Sequence, residues 1–273
     1  MRKIFVAVFL PILLIAFVSL SSCKNKTVAN QQKKVELEQV QTIQNEIQAN
    51  VYPLPTSASV MKMLTDLEVG YLIGITNPVE NSKKYFTSKS RSLNLGAFGA
   101  DLSYVTLYNI QQDVINYLDA IRSMANELNL SKIYNDTLYE NIKKNFDNRD
   151  ELVKILTQSF NDTYTYMIDN DQQALALLVV GGAWVEGMHL TVNVSESAFE
   201  NQEFSKLLLE QKKSFELFFE LAKPYANDAM IADFLIEMDP IAKVYATITS
   251  SLTLEDIKKI KVAVESVRIK IVS

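Results

Sequence analysis

The sequence predicts an all-α protein, built as a multi-helix bundle or a short α-superhelix of roughly eight to ten helices. Three observations carry this. Only 7 Gly and 6 Pro occur in 273 residues, too few turn formers for a sandwich or barrel. Apolar residues recur at helical spacing, as in Leu107, Ile110, Val114, Leu118, Ile121, Ala125 and Leu128. No stretch alternates in the manner of a strand.

Met1 to Ser22 reads as a signal peptide. Arg2 and Lys3 form a basic start, and Ile4 to Val18 is uncharged and interrupted by Pro11. That length suits a signal h-region and is short for a spanning helix. Lys24 to Lys34 is polar and reads as a tether, spanning at most ~35–40 Å when extended. Val35 to Val51 places Leu37, Val40, Ile47 and Val51 near helical spacing and predicts a short helix. Two prolines at 53 and 55 then break the chain. The division is signal peptide over 1–22, Cys23 with the tether and the short helix over 23–51, and one helical domain over 52–273.

Within that domain, Thr56 or Ser57 caps a helix through Leu67, and 70–78 forms an apolar turn region. Asn81 or Ser82 caps a helix bearing Tyr85, Phe86 and Leu93. Asn94 to Tyr104 contains Gly96 and Gly99 and reads as a tight turn between helices. Asp101 or Ser103 then caps the long helix that ends near Leu128. Further helices follow over 131–148, 149–170 and 199–223, the last stopped by Pro224. The run 172–192 is apolar nearly all round, yet short and polar at its end for a membrane span. It predicts a buried central helix that a neighbour approaches closely at Gly181 and Gly182. Asp228 caps a short helix, and Asp239-Pro240 starts another. Thr253 and Asp256 form a capping box for the last helix, with Ile257, Ile260, Val264, Val267 and Ile271 inward and a charged, solvated face opposite.

Composition narrows function. The signal holds two of the 27 basic residues and none of the 32 acidic ones, leaving 25 against 32 and a net charge of −7. A nucleic-acid partner is therefore not expected. Cys23 is the only cysteine, so the mature chain has no internal disulfide. No P-loop, His-Glu-x-x-His or Gly-x-Ser-x-Gly motif occurs. His189 is the sole histidine. Glu186 shares its helix face, but ferritin-like di-iron bundles need a second Glu-x-x-His pair. No metal and no cofactor are expected. Asp101, Trp184, Glu186 and His189 are the candidate pocket, because a carboxylate among glycines and apolar neighbours needs a partner.

Leu20-Ser21-Ser22-Cys23 resembles the lipobox of bacterial lipoproteins. The resemblance implies diacylglycerol on Cys23, cleavage before it, and attachment to a membrane through that anchor. No acidic cluster follows Cys23, which in Bacteroidota-like lipoproteins favours a periplasm-facing place at the outer membrane over surface export. Tyr52-Pro-Leu-Pro-Thr56, the Leu95 to Tyr104 segment and Trp184-Val-Glu-Gly187 resemble a group of helical Bacteroidota lipoproteins. That resemblance implies envelope location and a helical fold, and no activity. Asp136-Thr137-Leu138 resembles their O-glycosylation motif at Thr137, although a helix cap accounts for Asp136 or Thr137 equally well.

The function expected is a lipid-anchored, non-catalytic envelope protein that binds a protein partner or small ligand. The alternatives are an envelope hydrolase or lyase working around Glu186 and His189, and a structural subunit of an envelope complex.

Overall fold

A computed structural model describes residues 70–193 and 202–273, apart from the side chain of Glu203. Cys23, the tether and the helices expected over 35–51 and 57–67 lie outside the described residues. Within them the chain is all-α, with no strand. The helices are α1 (Ser88–Leu107), α2 (Gln111–Glu127), α3 (Asp136–Lys144), α4 (Arg149–Asp169), α5 (Gln173–Asn193), α6 (Gln202–Ala222), α7 (Ala229–Glu237), α8 (Asp239–Thr247) and α9 (Leu254–Val272). Short 3-10 turns occupy Val79–Lys84 and Lys223–Tyr225.

The central pair is α1 and α5, the two most extensively packed helices. Every residue of α5 from Ala176 to Val192 is buried. At 21 residues, α5 has the length and apolarity to cross a membrane, contrary to the sequence expectation. Its most apolar stretch is 94% buried inside the protein instead. Helix α1 is also buried almost all round. Helices α2, α4 and α9 pack on this pair, and α7 and α8 extend the layer.

Two glycines set how closely the pair approaches. A Cβ on Gly96 would lie 1.9 Å from the Val179 carbonyl oxygen, and one on Gly182 would lie 1.9 Å from the Leu93 carbonyl oxygen. Each glycine therefore admits the other helix's backbone. This corrects the turn expected at 94–104. That segment is the middle of α1, where Gly96 serves contact rather than chain reversal. Asp101 and Ser103 consequently cap nothing. The cap is Thr87, which forms a capping box with Ser90.

The break falls later, at Asn109 (φ 55°). The Ile110 amide reaches the Val105 carbonyl at 3.0 Å and the Asn109 amide reaches Thr106 at 3.1 Å, the paired bonds of a Schellman motif. Asn129 (φ 61°) and Asp171 (φ 57°) end α2 and α4 in the same way. Asn and Asp tolerate the left-handed region through local hydrogen bonds. The chain thus stops three helices without glycine.

At other helix starts the sequence reading agrees. Asp228 accepts the Met230 and Ile231 amides. Pro240 lies in the first turn of α8. Thr253 and Asp256 cap α9 reciprocally. Replacing Thr253 with Ala is expected to cost about 1 kcal/mol in urea unfolding.

Ahead of α1 runs a strap, residues 70–78, turned at Gly74 (φ 79°). Tyr71 stacks on Tyr104 with ring centroids 5.5 Å apart. The Leu72 amide donates to the Tyr104 hydroxyl at 2.9 Å. This strap meets α1, α5 and α9 where the buried polar groups lie.

Candidate functional site

The charged centre of the protein lies where α1, α5 and α9 meet. Glu186 points from α5 and is 1% exposed. Arg268 of α9 clamps it with two bonds, Nε to Oε2 at 2.8 Å and Nη2 to Oε1 at 2.7 Å. This fork-to-fork geometry is the strong form of an Arg–carboxylate pair. Burial works against the Arg268 charge, but the bonds to Glu186 and the fields of Glu186, Asp101 and Glu265 outweigh it and raise the guanidinium pKa.

Asp101 of α1 is fully buried beside them. Its Oδ2 accepts the Asn77 amide of the strap at 3.1 Å, while no donor reaches Oδ1. Burial raises the Asp101 pKa well above the usual carboxylate range. The nearby Glu186 carboxylate reinforces the rise, and Arg268 and the Asn77 amide oppose it.

Polar groups around Asn77 complete the strap's attachment. The Tyr117 hydroxyl donates to the Asn77 carbonyl at 2.8 Å. Burial foremost, then the Asp101 charge, raises the Tyr117 pKa. The Asn77 amide group donates to the Tyr85 hydroxyl at 3.0 Å and to Asn94 Oδ1 at 3.2 Å. Asn94 and Tyr85 in turn donate to the carbonyls of Ile271 and Val272 at 2.8 and 3.2 Å. These are carbonyls that the end of α9 leaves without helical partners.

His189 sits one turn beyond Glu186. Its Nε2 meets the Ile75 carbonyl at 2.9 Å and its Nδ1 meets Glu265 Oε1 at 2.7 Å. A carbonyl only accepts, so Nε2 carries a hydrogen. Asn193 Nδ2 also donates to Glu265 Oε1 at 2.7 Å. The Ile75 carbonyl is shared with Arg268 Nη2 at 3.4 Å, which links the two clusters through the strap.

Of the four sequence candidates, the structure brings Asp101 and Glu186 into one cluster and sets His189 beside it. Trp184 does not join them. Two positions separate it from Glu186, about 200° around the helix. Its ring packs on Phe215 (5.2 Å) and Tyr245 (6.3 Å) of α6 and α8. Sequence reasoning missed Arg268, Glu265 and Asn193. The face of α9 expected to be solvated is divided, because Glu265 and Arg268 each follow an inward residue, Val264 and Val267. That offset was the available signal.

Thr137 is exposed in the first turn of α3, capped by neither Asp136 nor Thr137 but by Asn135, whose side chain accepts the Leu138 amide. Asp136 pairs with Arg122 at 2.6 Å. Thr137 lines an open cleft of about 590 Å³ between α3 and α4, remote in sequence from the charged centre. Among the described residues, no group of three His, Cys, Asp or Glu side chains could hold a metal ion.

Chemically, the centre fixes charges rather than presenting them. Both oxygens of Glu186 are bonded to Arg268, and both ring nitrogens of His189 are engaged, Nε2 by the Ile75 carbonyl and Nδ1 by Glu265 and Asn193. Comparison with known proteins found no matching family model, no similar curated protein and no similar solved structure.

Proposed function

We propose that this chain is a lipid-anchored cell-envelope protein, attached to the outer membrane through Cys23 and facing the periplasm, that binds an envelope protein partner or a small ligand without catalysis. The lipobox-like Leu20-Ser21-Ser22-Cys23 supports the anchor. The non-catalytic half rests on one observation: the carboxylate and imidazole available for chemistry are bonded to Arg268, Glu265 and Ile75. A general base must lie within hydrogen-bond reach of a substrate proton, and Glu186 is 1% exposed with each oxygen bonded to Arg268. Val262 and Ile269, two turns apart on α9, are 71% and 60% exposed, which favours a protein partner over a purely internal role for that helix.

The anchor is tested by feeding an alkyne-tagged fatty acid to the native host. Label on the wild-type chain and none on Cys23→Ser is expected, and equal label on both contradicts the anchor. Native mass spectrometry of the detergent-released protein addresses what is bound. An added mass lost on unfolding identifies a small ligand. A bare chain together with in-cell crosslinking from position 262 identifies a protein partner. A bare chain without crosslinks contradicts both forms of binding.

A further inference from the structure

Two carboxyl groups and one guanidinium share the buried centre, and the charges do not balance if both acids are ionised. Glu186 spends both oxygens on Arg268. Asp101 has one oxygen on the strap amide of Asn77 and the other, Oδ1, without a donor. A buried polar atom of this kind costs stability unless it finds a partner, and a second uncompensated negative charge costs more. A proton on Oδ1 removes both penalties, because it neutralises Asp101 and supplies a donor to Glu186.

We propose that Asp101 is held as a neutral carboxylic acid whose proton is shared with Glu186, and that this acid–carboxylate–guanidinium unit is a proton-dependent clasp on the strap at 70–78. The groups around it fit. Glu186 faces Asp101 from α5 and Arg268 faces it from α9, with Glu265 and His189 one shell further out. Tyr117 on α2, Tyr85 ahead of α1 and Tyr71 on the strap all lie within electrostatic reach of the Asp101 carboxyl. Glu186 holds the Arg268 guanidinium. Loss of the Asp101 proton to solvent leaves two carboxylates against one guanidinium and no donor between them. The strap's attachment through Asn77, Ile75 and Tyr117 then surrounds an excess negative charge.

The sign follows from linkage. The Asp101 pKa is raised in the folded state, so the folded protein binds a proton that the unfolded chain releases. The stabilisation is complete below the ordinary aspartate range. It falls as pH rises from there and is lost once pH passes the folded value. Asp101→Asn keeps a donor toward Glu186 and an acceptor for Asn77 but cannot titrate. While Asp101 remains protonated, the unfolding equilibrium constant of wild type relative to Asp101→Asn should therefore rise tenfold per pH unit above the ordinary aspartate range.

The test is infrared spectroscopy of the full chain in detergent at neutral pH, with isotope-labelled aspartate carboxyls. The expected result is a protonated-carboxyl C=O band that shifts with the label and disappears in Asp101→Asn. The Asn77 amide, corrected for intrinsic exchange, should lose protection at alkaline pH in wild type and keep it in the variant. If Asp101→Asn fails to fold, Glu186→Gln serves instead. There Asp101 becomes the carboxylate that pairs with Arg268, and the labelled band should vanish. No protonated aspartate band in wild type, a band that ignores the aspartate label, or identical pH slopes in wild type and Asp101→Asn overturns the proposal.

Discussion

Arg268→Met destabilises the protein by about 3–5 kcal/mol, the range for stripping one partner from a buried ion pair. Methionine keeps most of the side chain's apolar volume, so the loss comes chiefly from charge. Glu186 is left 1% exposed and without its two guanidinium bonds. The strap weakens too, since Arg268 also donates to the Ile75 carbonyl. The double variant Glu186→Gln/Arg268→Met should recover a large part of the loss, because it removes the stranded charge together with its partner. Urea unfolding of both single variants and the double variant gives the coupling directly. Additive, small effects would mean that the pair is not coupled in the folded protein.

Gly182→Ala is the second large effect, at about 3 kcal/mol of destabilisation. Alanine favours helix over glycine by about 1 kcal/mol, so propensity alone predicts a gain. The contact predicts the reverse. The new Cβ would lie 1.9 Å from the Leu93 carbonyl oxygen, with the Leu93 carbonyl carbon at 2.7 Å. Backbone at that distance cannot rotate away as a side chain can, so α1 and α5 must separate along the most extensive packing in the fold. Gly70→Ala is the control. Nothing lies within 4 Å of its Cβ, and its effect should stay within about 0.5 kcal/mol. Equal behaviour of the two variants in urea would show that the helices do not touch at Gly182.

Much of the fold was legible because helical spacing is a local property. The inward stripe of α9, the Asp228 and Thr253 caps and the all-round apolarity of α5 each follow from residues within a few positions of one another. The missed boundary between α1 and α2 has a physical cause. Glycine at 96 and 99 reads as a turn by local propensity, but the use of Gly96 is set by α5, some eighty residues away. Asn109, which does break the helix, carries a weaker local signal than glycine. The site was half legible for the same reason. Asp101 and Glu186 stand out as acids in apolar surroundings, which says that each needs a partner. The partner, Arg268, lies on a helix that also carries exposed charges such as Lys258, Lys259 and Lys270, and only the packing of α9 against α5 selects it. Trp184 was grouped with Glu186 by proximity in sequence, although helix geometry sets the two on opposite faces.

The central claim is that these buried charges hold the fold and perform no reaction. Its most direct test compares wild type with His189→Gln, which retains a donor for the Ile75 carbonyl. Both full-length proteins, matched for folding by circular dichroism, are incubated with envelope extract of the host, and the extract is profiled by mass spectrometry. The account predicts indistinguishable profiles. A compound consumed by wild type and spared by an equally folded His189→Gln would contradict it and restore His189 as a catalytic residue.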